Sequence, residues 1–375
     1  MANMPLPAIS LFAGGGGLDL GIAQAGFATR VAVEWEKYAC QTLRNAQAAR
    51  RFIGGHRYLE GCAVLEGDIR SFHADEILAA GRLEPGEAAL LVGGPPCVTF
   101  SVAGRRAGLG HETGQLFADY VRVLKRAQPA AFIFENVKGL LTARDEAGCA
   151  GGAFAKILSE LEGAGYALTW RAVDAADYGV PQHRHRVFVL GRRGDQPLTF
   201  PDATHRAPAR AGLLGDAGLV RSWVTVAEAL ADLPPAAEYG GDTLVPNHVA
   251  RRHSEAVIAR FAATPPGKRE PSYKRDRLEW DRPAKTIRAQ GKPKADGSGQ
   301  KNSSHQSLHP TEHRQITVRE AARLQSFPDW YPFDPSFVNG YRVVGDAVPP
   351  ALAAVLADAV REQLDVAPDL PAIAA

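Results

Sequence analysis

Cysteine is scarce in this chain: 375 residues hold only 4, namely Cys40, Cys62, Cys97 and Cys149, and no two of them are close in sequence. That spacing excludes a disulfide framework and a Cys-x-x-Cys metal or redox pair, and it fits a reducing cytoplasm. Long hydrophobic runs are missing too. The uncharged stretch Met1 to Leu18 lacks a basic start and contains Pro5, Pro7 and four glycines, so neither a signal peptide nor a membrane span is expected. A surplus of one charge is also absent: 43 Lys+Arg stand against 41 Asp+Glu, a net charge of +2, which rules out a uniformly basic nucleic-acid coat. With 45% hydrophobic residues the chain is not disordered, and its length fits two domains, or one large domain with an insertion.

What is present is an alternation. Short apolar runs at Ala8 to Phe12, Val31 to Val33, Ala89 to Val92, Ala131 to Phe134 and Val187 to Leu190 read as buried strands, separated by helix-like stretches. This is the pattern of a doubly wound α/β sheet. The first strand is followed by Gly14-Gly15-Gly16-Gly17, the second by Glu34, the third by Gly93-Gly94-Pro95-Pro96-Cys97 and the fourth by Glu135-Asn136-Val137. Ligands of open α/β sheets bind at the carboxyl ends of strands, so these four segments are expected to converge on one crevice.

The alternation stops after about Gly191. From there to about Gln315 the chain is rich in Pro, Gly, Arg and Lys, and helical patterning returns at Thr317 to Gln325 and at Pro349 to Val360. The expected organisation is a catalytic domain of residues 1–193 plus 341–375, and a small domain of residues 194–340. Charge follows the same division. Residues 251–320 carry 16 Lys+Arg and 8 Asp+Glu, a local excess of 8, which leaves the rest of the chain at −6. A solvated loop surface would look the same, and only the chemistry of the other segments points this basic face toward a phosphate backbone.

The glycine loop follows a strand and opens a helix-like stretch, so its N–H groups can hold an anion, and Glu34, 20 residues past Gly14, is placed to accept ribose hydroxyls. No frame satisfies Gly-x-Gly-x-x-Gly, however, and a tight structural turn reads equally well. Cys97 is more specific. Two prolines stiffen the chain before it, and a strand's carboxyl end presents its sulfur to the crevice; as a thiolate, favoured by nearby cations such as Arg105, Arg106 or the basic segment near 184, it is a nucleophile. Cys40, Cys62 and Cys149 read as small core residues. Glu135 ends an apolar strand, where a carboxylate needs a partner or a proton, and an acid in such surroundings can donate to a ring nitrogen. In Gln182-His183-Arg184-His185-Arg186, alternation puts Gln182, Arg184 and Arg186 on one side and the two histidines on the other, with the arginines able to clamp phosphates or a base carbonyl. No metal is assigned: the histidines have no accompanying Cys or carboxylate set, and Pro310 interrupts any helix that would align His305, His309 and His313.

Taken in order, these segments resemble the C5-cytosine DNA methyltransferases. The resemblance runs from Ile9 to about Ala357, apart from a variable stretch near 194–280, and rests on eight segments. They are Leu-Phe-Ala-Gly-Gly-Gly-Gly from Leu11, Glu34-Trp35, Gly67-Asp68-Ile69, Pro-Pro-Cys-x-x-Phe-Ser ending at Ser101, Glu135-Asn136-Val137, Gln182-x-Arg184-x-Arg186, the run Arg319 to Pro328, and Gly345-Asp346-Ala347-Val348-Pro349. It implies a Rossmann-like class I S-adenosylmethionine-dependent methyltransferase sheet with a smaller, irregular target-recognition domain. Recognition would occupy about 194–285, with a supporting helix at about 317–325.

The resemblance also implies roles. Cys97 adds to C6 of cytosine, Glu135 holds and protonates N3, and the methyl of S-adenosylmethionine passes to C5; loss of the C5 proton then expels Cys97. Arg186 contacts the base carbonyl and helps hold Glu135, and Arg184 sits near phosphate. The base is flipped out of the duplex, since C6 is unreachable in the stack. The cofactor would meet Phe12, Gly14, Gly15, Gly16, Glu34, Trp35, Asp68, Ile69, Pro96 and Asp346, while Ser101, Asn136, Gln182 and Thr286 would meet DNA. Two departures stand out: Val98 follows the nucleophile where the family often has Gln, and Asp346 replaces the usual Asn. The expected activity is sequence-specific DNA cytosine-5 methylation of the bacterial restriction-modification type, in the cytoplasm. The expected partners are double-stranded DNA with a specific cytosine site and a restriction endonuclease, with the enzyme a monomer. The alternatives are a tRNA-directed member of the family, a catalytically silent DNA-binding homologue, and, on the glycine loop and Glu34 alone, a nicotinamide oxidoreductase.

Overall fold

A computed structural model describes residues 4–96, 112–145, 147–208, 220–272, 274–288 and 306–365. Cys97, Val98, Ser101, Arg105 and Arg106 lie outside the described residues. Among the described residues of the first half the strands are β1 Leu6–Leu11, β2 Phe27–Glu34, β3 Phe52–Ile53, β4 His56–Arg57, β5 Ala63–Glu66, β6 Leu90–Gly93, β7 Ala131–Val137, β8 Tyr166–Asp174 and β9 His185–Arg193. β3 and β4 make a small hairpin, and the other seven form one sheet in the order β5-β2-β1-β6-β7-β9-β8. The first five of these are parallel and β9 runs antiparallel to both of its neighbours. All five apolar runs read from the sequence are strands of this sheet. β5 and β8 were hidden from that reading because each is an edge strand with no fully buried face; Trp170, Arg171 and Ala172 of β8 all meet solvent.

Helices cover both faces because the central strands are apolar on both. On one face lie the helices Ala74–Gly81, Glu112–Ala127 and Gly152–Glu162, sealing a core that includes Ile9, Leu91, Phe132, Phe134 and Val189. On the other, α1 Gly17–Gln24 packs against the C-terminal helix Pro350–Asp365, burying Leu18 and Ile22 with Leu352, Leu356 and Val360. Each such side chain contributes roughly 1.5–3 kcal/mol. The two helices approach so closely that a Cβ on Gly21 would lie 2.4 Å from that of Ala353. The stretch Phe337–Leu364 is apolar enough to cross a membrane, but 67% of its most apolar window is buried inside the protein and Pro349-Pro350 breaks it.

A third apolar cluster bears on the domain division. Ala13, Leu20, Leu43 and Tyr58 of the sheet half pack with Val226, Ile287, Val318, Leu324, Tyr331 and Tyr341. The helix Val318–Leu324, capped by Thr317 and Glu320 acting reciprocally, thus shares a core with the β1 to β5 half of the sheet.

Candidate active site

The topology turns at β1, where the chain runs outward to β2 on one side and to β6 on the other. The loops leaving β1, β2 and β6 enclose a cleft of about 190 Å³, lined by Phe12, Val33, Glu34, Trp35, Asp68, Ile69 and Pro96 among others. Phe12 stands in the left-handed region (φ 55), a backbone strain that costs about 1–3 kcal/mol and that the packed loop must hold. Gly16 needs its positive φ of 79, and a side chain there would also collide with Tyr331 Oη at 2.3 Å. Glu34 is almost fully buried; its carboxylate accepts from Gly14 N (2.8 Å) and Glu36 N (2.7 Å), and burial pushes it above the ordinary carboxylate range. Asp68 caps the 3₁₀ turn Ile69–Ser71 and is chelated by Arg70, which holds its carboxyl low. Asp19, behind the loop, ties α1 to the sheet through Ser10 and Thr29, and burial raises it to about 6. Six of the ten residues expected at a cofactor line this cleft, and Gly14, Gly15 and Gly16 build its loop. Asp346 does not share it: it is exposed at the end of the helix Phe337–Asp346, with its carbonyl accepting from Arg184.

Next to this cleft, Glu135 and Arg186 pair. β7 and β9 are antiparallel with Glu135 opposite Phe188 and Val137 opposite Arg186, so the two charged residues are diagonal neighbours on one face of the sheet. Arg186 Nε lies 2.8 Å from Glu135 Oε1, with side chains only 17% and 13% exposed. Gly94 makes the room. A Cβ at that position would sit 2.6 Å from Glu135 Oε2. Asn136 points the other way and donates to the carbonyl of Pro95 (3.2 Å), tying the strand end to the loop that leads into Cys97.

Three of the residues expected at DNA are engaged within the protein. Arg184 is fully buried and donates to the carbonyls of Ile287 (3.2 Å) and Asp346 (3.4 Å), and burial, with Arg186 alongside, pulls its guanidinium down to about 9. Gln182 is placed in the same way. It is completely buried, donates to Leu324 O and Gln325 Oε1, and accepts from Ile287 N. Asn136 is likewise occupied by backbone. For Gln182 and Arg184, alternation puts both on one face of their segment, and that face is turned into the protein here.

The opposite face of the same segment is open. His183 and His185 line a second cleft, of about 300 Å³, with Thr286, Lys285, Arg269, Lys274, Arg288 and Asp276. The segment around Ala284 lies along Gln182 in a parallel bridge, and Thr286 Oγ1 donates to His183 O at 2.7 Å. Asp276 accepts from Arg269 (2.9 and 3.0 Å) and Lys285 (3.0 Å), which hold its carboxyl low against burial.

A family model for C-5 cytosine-specific DNA methylases matches residues 6–362. The chain belongs to that family. It is therefore a DNA cytosine-5 methyltransferase, and the family uses S-adenosylmethionine. Among curated proteins the methyltransferase is 32% identical to the type II methyltransferase M.NgoPII of Neisseria gonorrhoeae, over 96% of this chain and 97% of that protein. It is also 32% identical to the type II methyltransferase M.SacI of Streptomyces achromogenes, over 96% of this chain and 94% of that protein. Among solved structures, a prophage-encoded E. coli protein assigned as a DNA modification methyltransferase matches with a TM-score of 0.70 at 24% identity, covering 96% of this chain and 99% of that one. The Dnmt2 methyltransferase of S. pombe matches with a TM-score of 0.62 at 16% identity, over 96% and 99% of the two chains. These two likenesses concern the fold alone.

Sequence reasoning missed several residues that build the methyltransferase site. Gly94 could have been found, since it stands one residue before the Pro-Pro pair. Asp174, whose carboxylate accepts from Arg184 N and faces His183, ends the strand the sequence concealed. Tyr58 and Tyr331, buried with hydroxyls on the carbonyls of Gly16 (3.3 Å) and Gly15 (2.8 Å), carry no local signal at all.

Proposed function

We propose that this enzyme is the sequence-specific methyltransferase of a bacterial type II restriction-modification system, with double-stranded DNA as substrate and S-adenosylmethionine in the cleft beneath the glycine loop. The observation that carries the reading is the Glu135–Arg186 pair standing beside that cleft, at the strand end adjoining the Pro-Pro-Cys loop. The cleft suits such a cofactor: Phe12, Val33 and Ile69 supply apolar walls for an adenine, and Glu34 supplies a buried carboxylate for hydroxyls. When bound, the cofactor supplies an electrophilic methyl group.

The chain's own residues do the rest. Cys97, as thiolate, bonds to C6 of a flipped cytosine; the C5=C6 pair shifts to C4–C5 and the C4=N3 pair moves onto N3. Glu135 holds N3 and delivers its proton there, so that charge does not accumulate on the ring. Arg186 is bonded to Glu135 from one side, keeps the carboxyl aimed, and donates to the base carbonyl. After C5 is methylated, its proton leaves to a base, the C5=C6 bond re-forms, Cys97 departs as thiolate, and N3 returns its proton to Glu135. Arg184, Gln182 and Asn136 touch no substrate in this scheme and hold the backbone that presents the acid. The second cleft, with Thr286 at its edge, takes phosphates of the target strand.

Residues 1–193 with 341–375 would form the catalytic domain and 194–340 the recognition part, which share the third apolar cluster. A monomer acting in the cytoplasm beside a cognate endonuclease completes the reading. The test is transfer of label from S-adenosylmethionine to mixed-sequence duplex. 5-Methylcytosine at one recurrent sequence by bisulfite reading is the expected result, Cys97→Ala abolishes it, and persistent C5 methylation by that variant would falsify the assignment.

A further inference from the structure

The second cleft contains a histidine that is held more firmly than a surface side chain needs to be. His183 Nδ1 lies 2.7 Å from Asp174 Oδ2, and the other oxygen of Asp174 accepts from the backbone N–H groups of Arg184 (2.9 Å) and Ala176 (3.3 Å). That carboxylate is only 12% exposed, so it has little freedom to turn elsewhere. The His183 ring packs edge-on against Trp223 (centroids 4.8 Å apart), whose indole N–H donates to Asp177 at 2.8 Å. Its carbonyl is taken by Thr286. Ring, carboxylate and peptide are thus all positioned, and His183 retains 34% side-chain exposure toward the cleft it lines.

A carboxylate on Nδ1 keeps the proton there and leaves Nε2 as the group that changes: an acceptor in the neutral ring, a donor in the charged one. Beside an anion only the donor is useful. We propose that Asp174 and His183 form a proton-dependent contact to the DNA backbone, in which charged His183 donates from Nε2 to a phosphate oxygen next to the flipped base and neutral His183 does not. The proposal rests on the second cleft being the DNA surface. The geometry motivates it: Arg184 is buried, and its neighbour His183 is the one that faces the cleft.

The charges around the ring come from several elements. Asp174 at the end of β8 and Asp177 in the turn after it favour the charged ring. Arg184 and Arg186 on its own segment, and Lys274, Lys285, Arg269 and Arg288 across the cleft, oppose it, although Asp276 offsets Arg269 and Lys285. His185 Nε2 lies 3.9 Å from the same Asp174 oxygen. The balance favours His183: its hydrogen bond to Asp174 raises its proton affinity above that of an ordinary histidine despite partial burial. DNA affinity should accordingly be high below about pH 6.5 and fall as pH rises through the raised value.

The measurement is fluorescence anisotropy of a labelled duplex with the full-length protein between about pH 6 and pH 8.5 at constant ionic strength, with S-adenosylmethionine binding followed in parallel. Wild type should lose about threefold to fivefold in DNA affinity over that range, the weight of one exposed ion pair. His183→Gln should bind at the weaker level throughout with no such step, Asp174→Asn should move the step to lower pH, and cofactor binding should stay unchanged. A His183→Gln protein that keeps the wild-type step overturns the proposal, as does a step removed by His185→Gln alone. Lys285→Ala and Arg288→Ala separate the two readings. If they weaken binding while His183→Gln keeps the step, only the histidine contact falls; if they leave affinity untouched, the cleft is not the DNA surface and both fall.

Discussion

The cleft beneath the glycine loop and the cleft beside Thr286 lie at neighbouring strand ends but follow different plans. The first is walled by Phe12, Val33, Ile69 and Pro96, and its buried acid, Glu34, is held by backbone N–H groups from its own strand end and from the adjacent loop. The second is rimmed by His183, His185, Arg269, Lys285 and Arg288, and its ties run between side chains: His183 meets Asp174, and Arg269 and Lys285 share Asp276. An apolar wall with one pinned carboxylate selects a ligand by shape and a few hydrogen bonds. A rim of half-exposed cations attracts any polyanion and depends on ionic strength. Glu135 and Arg186 sit between the two, on the sheet itself, where strand pairing gives a precision that loops do not supply.

The comparison breaks first at that central pair. Glu135→Gln keeps the shape of the side chain and a partner for Arg186 but removes the proton donor. The turnover number should drop about 10²- to 10⁴-fold, the usual weight of general acid catalysis, with S-adenosylmethionine and DNA affinities near wild type. Single-turnover methylation checks this, and a drop of less than tenfold would mean that the N3 proton comes from elsewhere. Glu34→Ala acts on one cleft only. It deletes a charged acceptor and frees Gly14 N, so cofactor affinity should fall about 10- to 100-fold, while DNA affinity measured without cofactor stays constant. Equal losses in both titrations would show that the two clefts are not independent.

How far the sequence disclosed these sites follows from how each is built. Strand ends are local objects: a run of apolar residues followed by glycines, by Pro-Pro-Cys or by Glu-Asn-Val is visible in a dozen letters, and the sheet brings such ends together. Hence Phe12, Glu34, Asp68 and Glu135 were legible. The burial of Gln182 and Arg184 was not legible, because alternation tells which residues share a face but not whether that face meets solvent or core. Asp174 was hidden with its edge strand. Tyr58 and Tyr331, 273 residues apart and 3.2 Å from each other, meet only through the third apolar cluster, and no local pattern encodes such a meeting.

The second cleft is the harder test, since surface cations also occur with no ligand at all. Counter-ion release distinguishes the cases. If Lys285 and Arg288 each neutralise a DNA phosphate, removing either should lower the slope of log affinity against log salt by about 0.9, and the double variant by about 1.8. At low salt each single loss should amount to only a few-fold in affinity, because the contact is exposed and its Coulomb energy is screened. Lys285 has a second consequence that Arg288 lacks: it shares Asp276 with Arg269, so its removal leaves that carboxylate with one cation instead of two beside the incoming phosphate. Lys285→Ala should therefore weaken binding more than Arg288→Ala at equal change in slope, and adding Asp276→Asn to Lys285→Ala should recover part of the difference. A double variant no better than Lys285→Ala would show that Asp276 acts by holding Arg269 in place rather than by repelling the backbone.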